Sequence, residues 1–144
     1  LFANFTKMVF FPKLYDSGKI TQIAGAASIT FLKGSAVVDN GSGYLTNAAS
    51  STAVDIHFVT AEAVTTSATA GDLVEVIRTW GAIFDGDTDL DPAQTDVGTE
   101  ADLATVATIN PDASTNDLFY IESIVGAVAD RLVRGFFLAG VPNS

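Results

Sequence analysis

Apolar side chains in this chain recur at every second position rather than at helical intervals. In AVDIHFVTAE (53–62), Val54, Ile56 and Phe58 alternate with Asp55 and His57. Successive side chains of an extended backbone point to opposite sides, so this is the pattern of a strand with one wet face. DLVEVIRTW (72–80) is apolar on both faces and carries the β-branched Val74, Val76 and Ile77, which suits a more buried strand with Trp80 at its covered end. LFYIESIVG (118–126) and RLVRGFFLAG (131–140) read the same way. Shorter strands are expected at KMVFF (7–11), ASITFL (27–32), SAVVD (35–39), GYLTN (43–47) and TVATI (105–109).

Turn signals punctuate these runs. DNGSG (39–43) contains Asn40-Gly41, a strong hairpin cue, and SATAGD (67–72), DGDTD (85–89) and NPDASTND (110–117) are further breaks. Regular short strands with such punctuation predict an all-β fold, either a small β-barrel or a sandwich. One helix is expected at TEADLAT (99–105), with Thr99 as its cap and Asp102 at the third helical position. Residues 27–144 read as a single β domain. Residues 1–26 are set apart by Phe2, Phe5, Met8, Phe10, Phe11 and Tyr15, too many apolar side chains to leave in water. They form either the first strand of the core or an extended N-terminal arm that buries itself in a neighbour.

Composition narrows the chemistry. Charged residues are 17% of the chain against 48% apolar, and a soluble domain usually has about 25% charged. Such a chain hides much of its surface, a property that suits contact with other subunits. It has no Cys and a single His, His57, which leaves no thiolate or paired-histidine metal site. No stretch approaches the roughly 18 apolar residues of a membrane helix, and the opening LFANFTKMVFFPKLY lacks the order of a signal peptide.

The net charge of −10 is unevenly distributed. Residues 1–34 hold four Lys and one Asp, or +3, whereas residues 35–144 hold three Arg and sixteen acids, or −13. An acidic body repels nucleic acid and anionic lipid, so neither is an expected partner. Phe2, Phe5, Lys7, Phe10, Phe11, Lys13 and Tyr15 in the basic segment are the expected partner-binding residues.

The densest acidic run is DGDTDLDPAQTD (85–96). Asp85, Asp87, Asp89 and Asp91 are a candidate calcium set, the one cofactor the sequence suggests. An EF-hand is excluded, because Leu90 falls where that loop requires Gly and the flanks read as strands. The plainer expectation is an outward, solvated acidic loop. Arg131 and Arg134, the only basic residues near the C-terminal end, are expected either to pair with acids at a sheet edge or to reach a partner subunit. Catalytic readings are weak. His57 lies on a wet strand face, no nucleophile elbow accompanies it, and no phosphate-binding glycine loop occurs. The expectation is therefore not an enzyme.

Taken in order, SAVVDNGSGYLTNA, AVDIHFVTAEAV, GDLVEVIRTWGAIFDGD, TDVGTEADLA, NDLFYIESIVG and LVRGFFLAG resemble the small head-decoration, or capsid cement, proteins of tailed viruses. The resemblance spans residues 35–140 and rests on strand type and turn spacing; residues 1–34 fall outside it. It implies a β-barrel or β-tulip-like domain that oligomerises, often as a trimer, on the capsid exterior of the virion. There it would bind the major capsid protein and cement neighbouring capsomers. The alternative expectation is a subunit of an extracellular filament or surface layer assembled by strand addition.

Overall fold

The chain changes sheet repeatedly up to the strand that starts at Ile83 and then stays in one sheet to its last strand. In the computed structural model, residues 10–14 and 20–138 are described. The strands are β1 (Phe10–Leu14), β2 (Ile20–Ala24), β3 (Thr30–Phe31), β4 (Ala36–Asp39), β5 (Leu45–Asn47), β6 (Phe58–Thr60) and β7 (Val64–Thr65). They continue with β8 (Leu73–Arg78), β9 (Ile83–Thr88), β10 (Glu100–Thr105), β11 (Thr108–Asn110), β12 (Phe119–Ile124) and β13 (Leu132–Phe137). Two single turns of 3-10 helix, Gln94–Asp96 and Val128–Asp130, complete the elements. The fold is all-β, as the alternation requires.

The C-terminal half is a closed barrel. The order β9–β11–β10–β12–β13 returns to β9 through a β13–β9 ladder, which closes a ring of five strands. β1 lies along β9 in register Phe10↔Gly86 and Pro12↔Phe84, on the same edge that β11 meets farther along at Thr108↔Asp87. Closure removes the open edges that a flat sheet would expose. The second sheet, β2–β8–β6–β4–β5, curls until a single parallel bridge joins Gly25 to Leu45. β3 and β7 pair separately.

The main core fills the barrel and the seam between the two sheets. Phe10, Phe84, Phe119 and Phe137 are fully buried. The Phe137 ring lies 4.9 Å from Phe10, 5.5 Å from Phe84 and 5.1 Å from Phe119, with edge-to-face tilts in each pair. Such tilts place the positive edge of one ring on the negative face of the next. The seam side comes from Ala36, Val59 and Ile77, while their strand neighbours Val37, Val74 and Val76 point to a second cluster with Phe31 and Leu45. The two clusters are thus opposite faces of the same strands.

Two glycines make room for this packing. A Cβ on Gly86 would stand 2.8 Å from the Phe10 ring, and a Cβ on Gly135 would stand 1.8 Å from the Tyr120 carbonyl oxygen. These close approaches are backbone against ring and backbone against backbone, and only glycine allows them.

Three expectations change here. TEADLAT is strand β10, not a helix: Ala101 and Leu103 enter the core, and the segment pairs with β11 and β12. Its helix-start signals are overruled by ladder bonds on both sides. Trp80 is 55% exposed rather than covered. It follows β8 at the second position of a turn in which the Ala82 amide donates to the Thr79 carbonyl at 3.0 Å, with Gly81 at φ 71°. That turn passes the chain from one sheet to the other and throws the indole outward. The strand expected through Val54 begins only at Phe58, leaving Val54 61% exposed and Ile56 buried. Within residues 1–26, β1 and β2 are strands of the two sheets, so the described part of that segment belongs to the folded body.

Candidate functional site

The acidic run begins inside the barrel wall, not in an outward loop. Asp85 and Asp87 belong to β9, where Arg134 stands opposite Asp85 and Leu132 opposite Asp87. Alternation turns Phe84, Gly86 and Thr88 inward, so Asp85 and Arg134 share the outer face. Arg134 grips Asp85 with both arms of its fork: Nε donates to Oδ1 at 2.7 Å and Nη2 to Oδ2 at 3.1 Å. Hydrogen bonding to Asp85, and then its charge, raises the Arg134 pKa. Burial instead raises the pKa of Asp87.

Arg131 ties down the rest of the run. It occupies the left-handed region at φ 53°, just after the Val128–Asp130 turn. From there Nε donates to Asp91 Oδ1 at 2.7 Å and Nη1 donates to the Asp89 carbonyl at 3.1 Å. The Thr88 amide donates to the Arg131 carbonyl at 2.9 Å, and the Asp89 amide to the Ile109 carbonyl at 3.0 Å. Two arginines, 40 and 49 residues downstream of their partners, thus meet the acids at β9 and just beyond it.

This corrects the expectation of an outward acidic loop for Asp85 and Asp87, which lie in strand β9. Asp85 and Asp91 accept from guanidinium groups, and the described residues contain no group of three His, Asp or Glu placed to hold a metal ion. Arg131 and Arg134 take the ion-pairing role. Of the expected partner-binding residues, Phe10 is committed to the barrel core, Phe11 and Lys13 lie in β1, and Phe2, Phe5, Lys7 and Tyr15 lie outside the described residues. His57 is exposed, as expected, but it lies in the loop before β6 rather than on a strand face.

Asp102 has a role that its helix-like context concealed. Its buried carboxylate accepts backbone amides from Thr115 at 3.0 Å, Asn116 at 2.7 Å and Asp117 at 2.9 Å. Three amide donors satisfy a buried carboxylate without a counter-cation. The bonds pin the connection into β12, where Asp117 adopts φ 52°. The signal available in sequence was only the polar NPDASTND stretch, which does not say what organises it.

An apolar concavity lies at the open end of the second sheet. A cup of about 620 Å³ has Ile23, Val37, Leu45 and Phe58 as its floor and walls. Asp39, Asp55 and His57 lie at its rim together with exposed Val54. The 39–45 hairpin forms one lip, held by Asp39 Oδ1 accepting the Gly41 amide at 2.6 Å and Asn40 Oδ1 accepting the Ser42 amide at 2.8 Å. An apolar pit with an acidic rim suits an apolar side chain flanked by a cation, not acid–base chemistry. Nothing in the sequence pattern identified this cup, because it is assembled from four strands and two loops.

Searched against protein-family models, curated proteins and solved structures, the chain matches none.

Proposed function

We propose that this protein is a structural subunit that decorates the outer surface of a tailed-virus capsid, where repeated modest contacts bridge neighbouring capsomers. One observation carries the reading. The segments of the resemblance from GAIFDGD onward supply four of the five barrel strands, β9, β10, β12 and β13. The earlier segments supply β4, β5, β6 and β8 of the second sheet, so the resemblance follows the chain through both sheets of the fold. The ion-paired outer wall and the satisfied Asp102 suit a rigid building block, whose work is to hold a shape under load. Repetition around a symmetric shell would convert weak contacts into firm attachment. The filament alternative has less support, since β1 pairs with β9 of its own chain.

The test is whether the protein bands with intact virus particles on a density gradient, and whether stripping it lowers the temperature at which they rupture. Absence from particles would overturn the proposal. Deleting residues 1–24 is not a suitable test, because it removes β1 and all of β2.

A further inference from the structure

We infer that the apolar cup of the second sheet receives the N-terminal segment LFANFTKMV (1–9) of a second copy of this chain. The cup offers an apolar floor of Val37, Leu45 and Phe58 and an acidic rim of Asp39 and Asp55. The segment offers the complement: Leu1, Phe2 and Phe5 for the floor and Lys7, without any acid, for the rim. An aromatic two residues before a lysine can bury its ring in a pit while the ammonium stays at the edge beside carboxylates.

Chain placement agrees with this occupant. The segment ends at Phe10, whose amide donates to the Gly34 carbonyl at 2.9 Å. Gly34 precedes β4, whereas the cup lies at the opposite end of that strand, around Val38 and Asp39. Phe10, where the segment joins the described body, is thus at the end of β4 opposite the cup. A 620 Å³ volume also holds a few apolar side chains and not a whole domain. Exposed Val54 fits as a lip residue that an incoming aromatic would cover. The inference concerns self-association alone, so it stands or falls whether or not the protein sits on a shell.

Two full-length variants test it by sedimentation across a concentration series. Phe2→Ser/Phe5→Ser disables the donor segment, and Val54→Lys disables the acceptor cup at an exposed position outside the core. Wild type should associate with increasing concentration, and each variant alone should weaken association by about tenfold or more. An equimolar mixture should restore a mixed complex, because the Val54→Lys chain keeps a good segment and the serine chain keeps a good cup. Unaltered melting midpoints will show that both variants fold. Association unaffected by Val54→Lys, a wild type that stays monomeric throughout, or a mixture that fails to pair would each overturn the inference.

Discussion

Arg134 and Asp85 stand opposite one another on β13 and β9 and are joined by two parallel hydrogen bonds of 2.7 and 3.1 Å. The pair sits on the ladder that closes the barrel. Asp85 is 8% exposed, so its carboxylate takes its hydrogen bonds from that fork rather than from water. Arg134→Met should lower stability by about 1–3 kcal/mol, the usual cost of leaving a buried polar group unpaired. Arg134→Lys should recover only part, because an ammonium cannot match both oxygens. Urea unfolding of the three proteins measures this.

Asp87 behaves oppositely to a salt-bridged acid. Burial raises its pKa above the ordinary aspartate value of 3.8. The folded state therefore holds the proton more tightly than the unfolded chain, and this residue's contribution to stability is lost as pH rises through its folded pKa. Asp87→Asn should be at least as stable as wild type at neutral pH. The advantage should shrink as pH falls through the raised folded-state value toward 3.8 and be gone below it. Paired melting curves from neutral to acid pH read the difference directly.

Gly86 and Phe10 are matched in shape. Gly86→Ala should destabilise by about 1–3 kcal/mol, the range for overpacking, since the new methyl meets the ring at 2.8 Å. Phe10→Ala should cost about 3–5 kcal/mol. The double variant should be more stable than the sum of the two losses implies, because removing the ring opens the space the methyl needs. Additive losses would show that the two sites are independent. Gly135→Ala faces a backbone carbonyl at 1.8 Å that cannot step aside, and should not yield a folded protein.

Asp102→Asn replaces an acceptor with a donor against three amides. It should cost about 1–3 kcal/mol and raise the hydrogen-exchange rates of the Thr115, Asn116 and Asp117 amides. Amides in β12 such as Ile121 should change less. Uniform protection in the variant would mean that the connection is held by other means.

Alternation alone was enough to specify an all-β chain and most strand positions, because a period of two is a property of neighbouring residues. DLVEVIR, FYIESI and LVRGFF are strands as expected, and the DNGSG turn joins β4 to β5. What alternation cannot carry is which strand lies beside which. That β1 joins β9, or that β9 is shared by β1, β11 and β13, depends on contacts between distant parts of the chain. The same limit explains the misread segments. TEADLAT has local helix signals, yet its Asp102 serves a loop more than ten residues away. DGDTDLD looks like an exposed acidic run until Arg131 and Arg134 arrive from β13 and its preceding turn. The cup exists only after four strands curve together. Local chemistry settled the kind of element; long-range pairing settled where each charge and each cavity came to lie.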